Sequence, residues 1–219
     1  MTSPYDYMNK AFSGGNFLTI SGGHTLDMVE AVLGPIIEVD ARTETVWPIV
    51  KLTDTGTESL RETPDHVDVL GKTSFGAAFA ASINTGLSHD DIRFSFEIRG
   101  SEGWLTLTGD GHPYGFQAGD LKLTSSAAFE PPEKPSVTGG FLGAANNVAE
   151  LYAHLMRDMR AGTYKTPGFE HALHNTRLVD AVRRASERGR RQQITNQDLR
   201  SIALSFRSSL SNFVDLQSF

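Results

Sequence analysis

The 219-residue chain contains no cysteine. That excludes disulfides, thiolate metal sites and a cysteine nucleophile, and leaves the redox compartment open. No run approaches the ~20 consecutive apolar residues of a membrane-spanning helix. The opening Met1-Thr2-Ser3-Pro4-Tyr5-Asp6 has neither a basic start nor an apolar stretch, so it does not read as a signal peptide. Cytoplasmic residence and no membrane partner are the expectations. Positive charge is scarce: 20 Lys and Arg stand against 26 Asp and Glu, a formal net charge of −6. A nucleic-acid partner would call for a basic face, so none is expected. A dinucleotide fingerprint is also missing. The nearest approach, Thr138-Gly139-Gly140-Phe141-Leu142-Gly143, lacks the first glycine and follows a proline linker rather than a strand. No cofactor is therefore expected.

What is present centres on Gly14-Gly15-Asn16-Phe17-Leu18-Thr19-Ile20-Ser21-Gly22-Gly23-His24-Thr25-Leu26-Asp27. The apolar run Phe17 to Ile20 reads as a strand that meets two glycines and opens a helix through Leu33, stopped by Gly34-Pro35. His24 and Asp27 then fall near the first turn, three residues apart on one side. A helix start disfavours an imidazolium, so a neutral His24 could act as a base or a hydrogen-bond donor. The plainer alternative is that the two residues simply cap the helix.

The chain beyond reads as α+β, a large open, mostly antiparallel sheet with helices packed on one face. Ile36 to Thr45 is strand-like, and Trp47 to Leu52 continues it past Pro48. Asp54-Thr55-Gly56-Thr57 and Glu62-Thr63-Pro64-Asp65 are turns. His66–Leu70, Phe75–Ile83, Asp91–Arg99, Trp104–Thr108, Tyr114–Gln117 and Leu121–Thr124 form a meander. The small residues between Gly76 and Ser82 invite close approach, with a packed helix the expected occupant. After the stiff Phe129–Ser136 linker, Ala144 to Met159 and Phe169 to Arg188 are amphipathic helices. Thr195-Asn196-Gln197-Asp198 could cap a third, running to about Leu210. The domain proper is taken as 1–191, with 192–219 a helical extension.

Two blocks carry a family resemblance. The first is Gly-Gly-Asn-Phe-Leu-Thr-Ile followed by Gly-Gly-His-Thr-Leu-Asp. The second is Asn147-Val148-Ala149-Glu150-Leu151-Tyr152, then Thr166-Pro167-Gly168-Phe169-Glu170-His171-Ala172-Leu173, then Arg177-Leu178-Val179-Asp180-Ala181. Together they resemble the C-terminal domain of the Gfo/Idh/MocA oxidoreductases, closest to the fungal branch that includes the galactose-regulon repressor. In many active members an Asp stands four residues before the motif histidine, and the pair handles a substrate proton. That position here is Ile20, so the carboxylate is absent, whereas His24 and Asp27 match. Glu133-Lys134-Pro135 copies the letters of the family's catalytic lysine but follows the sheet, outside the nucleotide-binding half where that lysine belongs.

Three functions stay open. The first is a stand-alone, cofactor-free enzyme acting on an apolar small molecule: an isomerase, lyase or cyclase, including a pericyclic cyclase of secondary metabolism. Its catalytic residues would be His24, Asp27 and Tyr114, and its substrate contacts Ile20, Phe79, Phe94, Phe96 and Trp104, since apolar pockets with few polar groups are what small molecules occupy. The second is the substrate-binding or dimerisation half of an NAD(P) oxidoreductase. The third is a repressor-like, non-catalytic interaction module. No metal is expected: Glu170, His171 and His174 have helical spacing but no third well-placed ligand, and read as polar side chains facing solvent. A homodimer through the sheet face is expected, because strands Phe75–Ile83 and Asp91–Arg99 offer more surface than the helices cover.

Overall fold

A computed structural model describes residues 1–86, 93–110, 115–116, 121–126 and 143–194. They fall into two compact units, one built from residues 1–86 with the segment from 167 onward, the other from residues 87–166.

In the first unit the expected strand at Phe17–Ile20 is instead helical. Asn16 and Thr19 cap it reciprocally: the Asn16 N–H donates to Thr19 Oγ1 at 2.8 Å and the Thr19 N–H to Asn16 Oδ1 at 3.1 Å. That is a capping box with Thr in the usual acidic place, and it starts a helix before the β-branched residues can pair as a strand. A π-helical turn, Leu18–Gly22, leads directly into α1, Gly23–Leu33. The two glycines therefore lie inside the helical run instead of opening it. Gly23 is small for packing reasons: a Cβ there would stand 3.0 Å from Asn175 Oδ1 and 3.8 Å from Val179 on another helix.

The strands that follow are β1 (Ile36–Glu44), β2 (Ile49–Lys51), β3 (Glu58–Leu60), β4 (His66–Thr73) and β5 (Ala78–Asn84). The strand β9 (Gln192–Gln193) lies at the sheet edge, giving the order β5-β4-β1-β9, with every pairing antiparallel. β2 and β3 form a separate hairpin. Register sorts the larger sheet into two faces. Val39, Ala41, Val67, Val69, Gly71, Phe79, Ala81 and Ile83 share one, and its central members Val39, Val67 and Val69 are buried. The helix Phe169–Arg188 packs on β1, with Ser186 Oγ accepting the Thr43 N–H at 2.9 Å. The other face carries Asp40, Arg42, Asp68, Leu70, Lys72, Ala78, Ala80 and Ser82, largely charged or small.

The second unit holds β6 (Arg93–Gly100), β7 (Gly103–Asp110) and β8 (Leu121–Ser125) in one antiparallel sheet, and the helix α2 (Ala144–Ala161). Both long helices end on left-handed glycines: Gly162 closes α2, which runs to Ala161, two residues beyond the expected end at Met159, and Gly189 closes the Phe169–Arg188 helix, α3. The expected third helix from Asn196 and the meander strand at Tyr114–Gln117 lie wholly or largely outside the described residues. Among those residues no helix is long and apolar enough to cross a membrane.

Candidate functional site

α1 and α3 are joined by two carboxylate–imidazole pairs. Asp27 and Glu30 sit three residues apart on α1, and His171 and His174 sit three apart on α3, so each helix presents its pair from adjacent turns of one side. His171 Nε2 meets Asp27 Oδ1 at 2.6 Å in a half-exposed contact. The hydrogen bond to Asp27 is the main reason the His171 pKa is raised; partial burial opposes it, and the charges of Asp27 and Glu30 add to it. His174 and Glu30 are only 1% and 3% exposed. His174 Nε2 lies 2.9 and 3.0 Å from the two Glu30 oxygens. Glu30 Oε1 also accepts the N–H of Ile36, the first residue of β1, at 2.7 Å. One buried carboxylate thus ties α1, α3 and β1 together. Asn175 Nδ2 completes the seam by donating to the Gly23 carbonyl at 3.0 Å.

Glu170 is solvent-facing, as expected, but the expectation that His171 and His174 are simply surface groups is corrected. His174 is fully buried, and His171 is committed to Asp27. Among the described residues no group of three His, Asp or Glu side chains is placed to hold a metal.

The residues singled out from sequence are distributed as follows. His24 and Ile20 are exposed, Ile20 by 37%. His24 is not at a helix N-terminus, as the capping argument had placed it, because the π-helical turn Leu18–Gly22 comes before it. Asp27 finds its partner on α3. Phe79 lies on the helix-covered face of the four-stranded sheet, its ring over Gly71, where a Cβ would come within 2.3 Å of that ring. Phe94 and Phe96 share one face of the three-stranded sheet, and Phe94 stacks on Phe116 at 4.8 Å between ring centres. Trp104 is paired with Arg99 and so faces the opposite side of that sheet from Phe94 and Phe96. Tyr114 lies outside the described residues.

A second buried polar cluster pins the N-terminal lead-in to the first unit. The Asp65 carboxylate accepts the N–H groups of Val46 and Trp47, both at 2.8 Å, and Arg61 Nη1 at 2.8 Å, and it meets His66 Nδ1 at 2.9 Å. Burial pushes its pKa up, but the bonds from His66, Val46, Trp47 and Arg61 outweigh burial and hold it at about 2. Arg61 also reaches the buried Asn9.

The α+β architecture, with antiparallel sheets and a helix packed on β1, is shared with Gal80p and with oxidoreductases of known structure. More narrowly, residues 1–109, about half of the chain, match the family model of the Gal80p C-terminal domain, and the chain carries a Gal80p-like C-terminal domain. No curated relative matches by sequence. Among solved structures, a super-repressor mutant of Gal80p from Saccharomyces cerevisiae is 20% identical with a TM-score of 0.72, over 90% of this chain and 54% of that one. Levoglucosan dehydrogenase in complex with NADH and levoglucosan is 14% identical, TM-score 0.64, over 89% and 55%. Aldose–aldose oxidoreductase from Caulobacter crescentus, complexed with glycerol, is 17% identical, TM-score 0.65, over 89% and 52%. The chain thus spans about half the length of these proteins, and at such identities the likeness is one of fold.

Proposed function

We propose that the chain acts as a Gal80p-like, non-catalytic interaction domain and assembles as a homodimer, rather than as a self-contained enzyme. The observation that carries this reading is the fate of the motif helix. Where active Gfo/Idh/MocA members place an Asp, an exposed Ile20 stands. The remaining carboxylate, Asp27, is hydrogen-bonded to His171 and ties two helices together. His24 is left on the surface with no carboxylate one turn before it to share a proton. General acid–base work needs both groups within reach of one substrate atom, and α1 does not offer that pair.

The same geometry weakens the expectation of a cofactor-free isomerase, lyase or cyclase: the aromatics that would hold its apolar substrate, Phe94 and Phe96 against Trp104, face opposite sides of their sheet. The second reading, a substrate-binding half of an NAD(P) oxidoreductase, is favoured by the fold shared with levoglucosan dehydrogenase. One experiment puts the interaction-domain reading at risk. The chain is supplied with NADH or NADPH, or their oxidised forms, and a panel of aldoses and polyols, and nucleotide absorbance is followed. The interaction-domain reading expects no turnover. Turnover that disappears in His24→Ala overturns it.

A further inference from the structure

The end of α3 is basic in an acidic chain. Arg183-Arg184-Ala185-Ser186-Glu187-Arg188-Gly189-Arg190-Arg191 sets five arginines against one acid, in a protein of net charge −6. Arg183 and Arg184 stand three and two residues before Ser186, and nowhere else in the sequence do two adjacent arginines precede a serine or threonine at that spacing. Acids of the same helix hold them: Arg183 meets Asp180 at 2.7 Å and Glu187 at 2.6 Å, and Arg184 meets Asp180. Solvent-facing pairs one turn apart are weak and exchange readily for another carboxylate.

Ser186 itself closes an edge. β9 pairs with β1 at Glu38 and Val39, and the edge donor farther along, the Thr43 N–H, goes to Ser186 Oγ at 2.9 Å. Thr43 Oγ1 lies 3.0 Å from the same atom. The turn that holds the serine there is loose. The Gly189 N–H reaches the Ser186 carbonyl at 3.4 Å and the Arg190 N–H reaches the Ala185 carbonyl at 3.3 Å, both longer than the usual ~3 Å. Helix ends held in this way open locally more often than the body of the helix.

We propose that Ser186 is a phosphorylation site for an arginine-directed serine kinase, and that its phosphate releases the edge of β1 at Thr43. Such a kinase reads guanidinium groups just ahead of the acceptor with carboxylates of its own cleft, a pairing to which arginine is suited. In the step itself a kinase carboxylate takes the hydroxyl proton and Ser186 Oγ bonds to the γ-phosphorus of ATP. The bond from that phosphorus to the bridging oxygen breaks, and ADP leaves. The phosphoserine cannot resume the serine's seat. Oγ already touches two atoms of β1 within 3.0 Å, which leaves no volume for three more oxygens. A phosphate at a helix C-terminus beside Glu187 is also repelled. The last turn of α3 therefore stays open and leaves the Thr43 N–H to solvent. The proposal stands apart from the interaction-domain reading, since it holds for a catalytic or a non-catalytic domain.

The test incubates the folded, full chain with the catalytic subunit of cyclic-AMP-dependent protein kinase and magnesium ATP, and locates phosphate by peptide mass spectrometry. Ser186 should carry it, and Ser186→Ala should lose most of the incorporated phosphate. Arg183→Gln/Arg184→Gln should slow incorporation about tenfold or more, the worth of one or two charge-assisted hydrogen bonds. Far-ultraviolet circular dichroism of each variant should match the wild type. In the phosphorylated chain the Thr43 amide should exchange with solvent about tenfold faster, as loss of one hydrogen bond requires, while the amides that pair β1 with β4 keep their rates. Absence of phosphate from Ser186 of the folded chain overturns the proposal, whether or not a peptide spanning residues 179–192 accepts it. Phosphate at Ser186 with Thr43 exchange unchanged overturns the release of β1.

Discussion

Replacing Glu30 by Ala should be the most damaging single change on α1. The substitution removes the carboxylate that meets a buried imidazole and the acceptor of the Ile36 N–H in one step. Breaking a buried pair by deleting one member costs about 3–5 kcal/mol, and an orphaned buried N–H costs about 1–3 kcal/mol. The two penalties share one vacated volume and do not simply add, so a loss of about 4 kcal/mol is expected, set against the 5–15 kcal/mol total typical of a domain. Glu30→Gln supplies the internal control. Its carbonyl can still accept the Ile36 N–H, and its amide can donate to His174 in the other tautomer, so it should cost about 1 kcal/mol, one ordinary hydrogen bond's worth. Urea unfolding read by tryptophan fluorescence measures both. The chain has two tryptophans, Trp47 in the first unit and Trp104 in the second, so a Trp104→Phe background makes the signal specific for the unit that holds Glu30. If Glu30→Ala lies within about 1 kcal/mol of the parent, or Gln is as costly as Ala, the three-way tie is not what holds α1 in place.

Three further outcomes follow from the same geometry. His171, raised by its bond to Asp27, should titrate above the ordinary 6.5 by NMR and fall back in Asp27→Asn; its share of stability is fully present below 6.5 and lost as pH rises through the folded value, so a wild-type His171 titrating at or below 6.5 refutes the pair. Asp65, held at about 2 against 3.8 unfolded, should contribute about 2 kcal/mol above pH 4 that disappears between pH 4 and 2, and Asp65→Asn should flatten that acid limb of the stability curve; an unchanged limb would assign acid unfolding elsewhere. Calorimetry should detect no micromolar binding of NAD or NADP to the chain, as the missing glycine fingerprint requires, and a measurable isotherm would reveal a nucleotide site of another design.

The elements legible in sequence were those with a long period and clear stops. α3 was read from Phe169 to Arg188 and is found there, because a 20-residue apolar stripe ending at Gly189 leaves little choice. β4, β6 and β7 were equally plain from alternation. The motif segment was misread because Phe17, Thr19 and Ile20 favour strands while the pair that decides the matter, Asn16 and Thr19, is a capping box whose second member is not the acidic residue usually sought. The α1–α3 pairing was out of reach by periodicity alone, since its partners are 144 positions apart. The signal that could have found it was the matched spacing, carboxylates at 27 and 30 and imidazoles at 171 and 174, each one helical turn apart.

That matched spacing also bears on what the motif helix now does. A carboxylate that serves as a proton acceptor must be free to change partners during a reaction, whereas one that holds two helices together is most useful when it never does. Asp27 is hydrogen-bonded to His171, one turn from a Glu30–His174 pair that is wholly buried, and any movement of Asp27 toward a substrate would strain a seam that also fixes the start of β1. With Ile20 in the position of the missing Asp, nothing on α1 replaces the acceptor. His24→Ala should therefore leave stability nearly unchanged, since an exposed imidazole with no partner among the described residues contributes little, while Asp27→Ala should loosen the α1–α3 seam even though both side chains belong to the same motif. The polar residues of α1 thus divide between Asp27 and Glu30, which hold α3, and His24, which is exposed.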